Sequence, residues 1–203
     1  MKVDLAFSIV CPHPLPADHG YLVYSAVSRL LPEAHQADGY GIHPIRGRQL
    51  GGRTLQLTEH SRLVIRTDAG EIARFLPLAG QPLRLLDRTL RIGVPQVRSL
   101  VPAVAVRSRL VTIKLPDVAA QPGDAAAEAF RAAALRQVGE LGVCTEATLS
   151  LGKRRTLRIK DKEVVGYEVL VDRLTAEESI VVQENGLGGR RHMGCGVFVP
   201  ERR

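Results

Sequence analysis

Six histidines, at positions 13, 19, 35, 43, 60 and 192, are the side chains here best suited to moving a proton near neutral pH. None pair as HxxxH or HExxH, so the spacing gives no support to a zinc hydrolase. A G-x-S-x-G elbow is absent, and no closely paired carboxylates mark a cleft. Chemistry, if present, therefore rests on histidine acting as acid or base. His35 is the first candidate: it falls at a predicted helix end beside glycine-rich sequence, where a ring can reach solvent and substrate. His43 follows on the next element, just ahead of the cations Arg46 and Arg48, and His19 stands at the start of the first helix. A lone histidine is ordinarily a surface residue or a helix-end contact, so spacing alone does not assign a catalyst.

Two stretches have the composition of an anion site. The first, Asn185 to Phe198, reads NGLGGRRHMGCGVF. Its glycines allow positive φ and close backbone approach, and successive N–H groups in such a turn make a concave anion site. Gly188, Gly189, Arg190, Arg191 and His192 are the predicted ligand contacts within it. The Gly-Lys-Ser/Thr ending of a nucleotide-binding P-loop is missing. The second stretch runs from Lys153 to Lys162. Strand alternation predicts Arg154, Thr156, Arg158, Lys160 and Lys162 on one face, with Arg155, Leu157 and Ile159 on the other. Cations two residues apart on a strand, ~6.5–7 Å, can track a phosphate backbone.

The charge balance agrees with an anionic partner. Net charge is +7 and the isoelectric point about 9.8. Aromatics are only 4% with no tryptophan, which argues against a base-stacking platform of the RNA-recognition-motif type. Three scattered cysteines, 11, 144 and 195, predict reduced thiols in the cytoplasm rather than a disulfide framework or zinc site. No run of 18 apolar residues predicts a membrane span, and the opening MKVDLAFSIV reads as a strand rather than a signal peptide.

The elements that must position these residues follow from periodicity. Val3, Leu5, Phe7 and Ile9 alternate with polar neighbours, as in a half-buried strand. A helix opens near Ala17 or Asp18 and runs toward Leu30, and a short helix over 32–37 follows Pro32. Strands are predicted at 42–45, 54–58 and 62–66, with a basic glycine-containing hairpin connection over 46–53. A short helix over 70–78 precedes a single strand over 83–93. The order then repeats: strand 104–115, an alanine-rich helix from Asp124 to Leu141 ended by Gly142, two strands or one bent strand over 146–151 and 154–159, and a strand at 164–171. A helix capped by Thr175 follows, with Glu177 and Glu178 in its first turn, then the glycine loop and a final strand. Each half has the βαββαβ order of the ferredoxin-like fold. The predicted architecture is α+β, with two tandem ferredoxin-like units over 1–97 and 98–203 and antiparallel sheets.

Taken end to end, the chain resembles the CRISPR-associated repeat-processing endoribonucleases of the RAMP superfamily. The resemblance is carried by the loop GLGGRRHMGCGVFVP, the segment GIHPIRGR and the helix-end LLPEAHQ. It implies metal-independent cleavage of precursor CRISPR RNA within each repeat, with no cofactor and no metal. The 2′-hydroxyl would attack the adjacent phosphorus, leaving a 2′,3′-cyclic phosphate and a 5′-hydroxyl. The family commonly places a histidine after the first helix, which here is His35, with His43 as the nearby alternative. A helper tyrosine would be Tyr21 or Tyr24. The RNA-binding surface so implied comprises Arg46, Arg48, Lys153, Arg154, Arg155, Arg158, Lys160, Lys162 and the glycine-loop residues above. Partners would be repeat RNA, as precursor and mature guide, and other CRISPR effector subunits, with the chain a monomer or homodimer away from membranes. Two other functions are compatible with the residues: a non-catalytic RNA-binding subunit of a CRISPR ribonucleoprotein, and a phosphate-binding α+β enzyme using the loop near 186–196.

Overall fold

The computed structural model describes residues 1–33, 39–115, 124–144 and 146–201. The chain divides into two compact units: Met1–Ser99 with His192–Gly194, and Leu100–Arg191 with Cys195–Arg203.

In the first unit the described elements are β1 (Lys2–Val10), β2 (Leu15–Pro16), α1 (Gly20–Leu30), β3 (Gly41–Ile42), β4 (Arg48–Leu50), β5 (Thr54–Gln56), β6 (Arg62–Asp68), α2 (Ile72–Phe75), β7 (Pro82–Leu85) and β8 (Arg88–Ser99). The main sheet has the order β3-β6-β1-β8-β7, antiparallel throughout. Setting aside β7, this is the strand order of a ferredoxin-like βαββαβ unit. The alternation of β1 sends Val3, Leu5, Phe7 and Ile9 inward. There Leu5, Phe7 and Ile9 join Leu63 and Ile65 of β6, Val23, Ala26 and Val27 of α1, and Phe75 of α2. The three-to-four spacing of the α1 residues makes one apolar stripe. Fully burying a side chain such as Phe7 is worth ~1.5–3 kcal/mol. The α1 helix stops at Leu31, whose N–H still reaches the Val27 carbonyl at 2.8 Å, just before Pro32. A separate three-stranded sheet has the order β2-β5-β4, and its β4–β5 pair closes the basic segment as a hairpin.

Two expectations are corrected here. The single strand over 83–93 is a hairpin, β7 and β8, with Leu85 opposite Arg88. Its turn contains Leu86 at φ 54°, a left-handed conformation usually reserved for glycine. Asp87 was therefore the only turn-like residue on offer, and the break was hidden. The strand over 42–45 covers only Gly41–Ile42, because Pro44 has no N–H to continue the ladder.

In the second unit the elements are β9 (Val106–Val111), α3 (Asp124–Glu140), β10 (Thr148–Ile159), β11 (Lys162–Asp172), α4 (Ala176–Asn185) and β12 (Val199–Pro200). The sheet order β10-β11-β9-β12 repeats the ferredoxin-like arrangement. The segments 146–151 and 154–159, expected as two strands or one bent strand, form one strand with an irregularity between Leu151 and Arg154. The core gathers Val106, Val111, Phe130, Ala134, Val169, Val171, Val182 and Phe198. A capping box starts α4: Thr175 accepts from the Glu178 N–H, and Glu178 accepts from the Thr175 N–H at 2.8 Å. The chain thus has the α+β class and tandem antiparallel ferredoxin-like units its element order predicts.

Candidate active site and nucleic-acid interface

The glycine loop is built differently from the expectation. Its glycines mainly admit other parts of the protein. A Cβ at Gly196 would lie 2.0 Å from the Leu187 carbonyl oxygen, one at Gly186 would lie 2.2 Å from that of Gly196, and one at Gly188 would lie 2.3 Å from that of Thr112. All three also have positive φ. Their amides are spent internally. Gly186 donates to the Val182 carbonyl at 2.9 Å and Gly196 to that of Leu110 at 2.7 Å. Gly188 donates to the Gln137 Oε1 at 2.8 Å, and Gly189 to the Thr112 carbonyl at 3.0 Å. The N–H groups of Gly188 and Gly189, expected to form an anion nest, have protein acceptors. Gly189 and Arg190 are exposed, and Arg190 adopts φ 62°. Arg191 donates to the Asn185 carbonyl. The loop is thus held by bonds within the protein. Gln137 and Thr112, which hold it, carry no sequence signal, because they lie 51 and 77 residues from the glycines they bind.

His192 belongs to the first unit and sits in a 3-10 turn over Arg191–Met193. Its ring centroid is 4.3 Å from that of Tyr24 on α1 and 6.3 Å from that of Tyr40, which in turn lies 5.4 Å from Phe75. Tyr24 thus contacts the histidine from the helix on which Tyr21 and Tyr24 were equal candidates. The next residue but one, Gly194, has φ 85°, and a Cβ there would be 3.3 Å from the Pro44 ring. Tyr40 is 6% exposed, and its hydroxyl oxygen has no hydrogen-bond partner among the described residues. Burial, with Tyr24 nearby as the smaller cause, pushes that hydroxyl above its ordinary pKa, so it stays protonated.

The other histidines separate by environment. His35 lies outside the described residues. His43 is a buried sheet contact, with its side chain 12% exposed and Nε2 3.3 Å from Asp4 Oδ1. Arg66, 4% exposed, grips the same carboxylate through Nε at 2.8 Å and Nη2 at 2.9 Å. Burial alone would raise Asp4, but the hydrogen bonds from His43 and Arg66 outweigh it and hold the carboxyl well below the usual range. Burial lowers the His43 pKa despite its bond to Asp4. His43, expected as an alternative catalyst, braces β1, β3 and β6 from a largely buried position. His19 is likewise committed, since Nδ1–H donates to the Pro16 carbonyl at 2.9 Å and Nε2 accepts from the Ile45 N–H at 2.9 Å. His60 is an exposed surface residue beside Glu59.

The cations of the second unit also need rearranging. Lys153, Arg154 and Arg158 are exposed on β10. The turn between β10 and β11 holds Lys160 at φ 53°, so strand alternation ends before it. Ile159 pairs with Lys162, which puts Lys162 on the face opposite Arg158. Glu163 pairs with Arg158, so an acid does share that face. Arg155 is half-buried, with Nη2 3.4 Å from Glu168, which also meets Arg107 at 3.3 Å. The expected row of four cations is therefore a cluster at one end of a hairpin, and Arg155, expected on the other face, is tied to a carboxylate. In the first unit Arg46 and Arg48 are exposed. Among the described residues no three His, Cys, Asp or Glu side chains converge as metal ligands, and no helix is long and apolar enough to cross a membrane.

Tandem ferredoxin-like units with a glycine loop before the last strand define the fold class. The chain belongs to the Cas6 family, whose model, described as Cas6 Crispr, matches residues 3–203. It is 41% identical over 201 residues to the CRISPR-associated endonuclease Cas6 of Myxococcus xanthus (strain DK1622), covering 99% of this chain and 82% of that one. Among solved structures, one described as CRISPR associated protein Cas6 shares the fold at TM-score 0.66 and 13% identity, covering 100% of this chain and 99% of its own. Another, described as an RAMP protein binding different RNA substrates, aligns at TM-score 0.66 and 15% identity with all of both chains covered.

Proposed function

We propose that this chain is a metal-independent endoribonuclease that cuts precursor CRISPR RNA inside each repeat and keeps hold of the product. The observation that carries the reading is its end-to-end membership in a family whose Myxococcus xanthus relative is named an endonuclease. The geometry is compatible with the chemistry. In-line attack by the 2′-hydroxyl needs a base for its proton and an acid for the departing 5′-oxygen, each proton transfer being worth typically ~10²–10⁴-fold. His35 is assigned one of these transfers on the family resemblance, and Tyr24 is the helper tyrosine because it meets the histidine of the glycine loop. Exposed Lys153, Arg154, Arg158, Lys160 and Lys162 in the second unit, Arg190 on the loop, and Arg46 and Arg48 in the first unit supply the sequence-independent grip on phosphates. Dependence on the 2′-hydroxyl separates RNA from DNA.

The test is incubation of the full chain with repeat RNA in EDTA. The expected result is one cut per repeat, abolished when the ribose at the cut is made 2′-deoxy. Strict dependence on magnesium would overturn the mechanism. Tight binding without any cut would favour a non-catalytic RNA-binding subunit.

A further inference from the structure

The first unit carries a cleft of about 200 Å³ between α1 and β7, lined by Leu22, Ser25, Arg29, Arg84, Leu85 and Leu86. None of these residues has a part in the function proposed above. Leu22, Ser25 and Arg29 are three to four residues apart on α1 and so share one stripe of the helix. Among the described strands β7 is the last of the main sheet, so its outer edge lacks a neighbouring strand. Arg29 reaches that edge: Nη2 donates to the Arg84 carbonyl at 2.8 Å, and Nη1 lies 3.5 Å from the Ser25 Oγ. The guanidinium is thereby pinned between helix and strand. A planar guanidinium held in place is a surface on which an RNA base can stack.

Leu86, in the turn between β7 and β8, is the second observation. It is 70% exposed and adopts φ 54°. A leucine there bears backbone strain and gains little burial in return, whereas glycine would avoid the strain. Strain of this kind gathers at ligand clamps. The third observation is charge. Arg84 lies opposite Thr89 and Arg91 opposite Pro82, which puts both arginines on one face of the hairpin, and both are exposed. Neither guanidinium has a partner among the described residues. The acid of the turn, Asp87, is bonded to Arg88 Nη1 at 2.6 Å, so it does not neutralise them.

Resting on the reading of the chain as acting on repeat RNA, we propose that this cleft receives one unpaired base of that RNA. The base stacks on Arg29 and is walled by Leu22 and Leu86, while Arg84 and Arg91 meet the neighbouring phosphates. The volume is below the ~300–1,000 Å³ of a pocket for a drug-sized ligand, so the cleft admits a single ring system and excludes a duplex. Stacking tolerates any base, because every base has a π-face. The site therefore registers that a nucleotide is unpaired more than which nucleotide it is.

The test titrates the full chain with repeat RNA made 2′-deoxy at the cut, carrying an abasic nucleotide at one position at a time. In wild type, losing the base that fills the cleft should weaken binding ~5–150-fold. Ser25→Phe, which fills the cleft with a ring, should weaken binding of the intact RNA by a similar factor and abolish the abasic penalty at that position alone. Leu86→Gly relieves the positive φ, so it should melt no lower than wild type while binding the intact RNA more weakly and showing a smaller penalty at the same position. It decides the matter if Ser25→Phe melts early. Arg84→Ala and Arg91→Ala should each flatten the log–log salt dependence by about 0.7. Abasic penalties that are the same at every position in wild type and Leu86→Gly would overturn the proposal, as would a wild type with no penalty anywhere. Either result leaves the endoribonuclease reading standing if wild type still cuts unmodified repeat RNA in EDTA. Wild-type protein that does not bind the repeat RNA would remove both.

Discussion

The two units share one strand order and differ in what they hang on it. All five described histidines, 13, 19, 43, 60 and 192, lie in the first unit. The second carries the exposed cations of the β10–β11 hairpin and most of the glycine loop. Its helix α3 is packed through Phe130, Ala133, Ala134 and Val138, small residues for the most part. The fold alone thus decides neither chemistry nor binding, which sit in side chains grafted on equivalent frames. On the proposed function, the first unit would supply proton-transfer groups, and the second charge and an internally bonded loop.

The largest effect expected from breaking that division is in the first unit. His35→Ala should lose cleavage by ~10²–10⁴-fold while RNA affinity survives, measured by single-turnover rates and by titration. Normal cutting by this variant would move the role elsewhere. A charge-removing change in the same unit should instead strike stability. Asp4→Ala removes the carboxylate that Arg66, 4% exposed, holds through Nε at 2.8 Å. Loss of one partner from a buried pair costs about 3–5 kcal/mol, read as a fall in the denaturant midpoint.

Within the second unit, the contrast between glycines sharpens the account of the loop. Gly196→Ala places a Cβ against the Leu187 carbonyl at φ 64°. It should destabilise by at least the ~1–3 kcal/mol of a strained backbone residue. Gly189→Ala meets nothing within 4 Å and should leave stability unchanged. The cations divide in the same way. Arg158→Ala should flatten the log–log salt dependence of RNA binding by about 0.7, the contribution of one phosphate contact on a single strand. Arg155→Ala, already paired to Glu168, should change it little.

The smallest effect is on acid stability. Hydrogen bonds from the Thr175 backbone first, and from Cys144, hold the Glu178 carboxyl at about 2, below its ordinary 4.5. A depressed folded-state value contributes stability above the ordinary pKa and loses it as pH falls toward the folded one. Stability should therefore decline between about 4.5 and 2 in wild type, and less so in Glu178→Gln, by acid titration of the unfolding free energy.

Periodicity was enough for the paired βαββαβ order, because Leu5, Phe7 and Ile9, or Val169 and Val171, alternate cleanly. Thr175 with Glu178 announced its helix three residues ahead of any packing. What stayed hidden was long-range or conformational. Leu86 and Lys160 turn the chain without glycine, so neighbours outweigh local preference. The partners that consume the loop amides come from β9's end and α3, and no local pattern reports them. The glycines were legible as a motif, but their reason, backbone packed on backbone, was not. The grouping of Tyr24, Tyr40 and His192 joins residues up to 168 apart in sequence, at a distance no spacing rule covers.

The most direct measurement of the central claim is the chemistry of the cut ends, read by mass spectrometry on repeat RNA cleaved by the full chain in EDTA. Attack by the neighbouring ribose oxygen predicts a 2′,3′-cyclic phosphate on one fragment and a 5′-hydroxyl on the other. A 3′-hydroxyl facing a 5′-phosphate would contradict it.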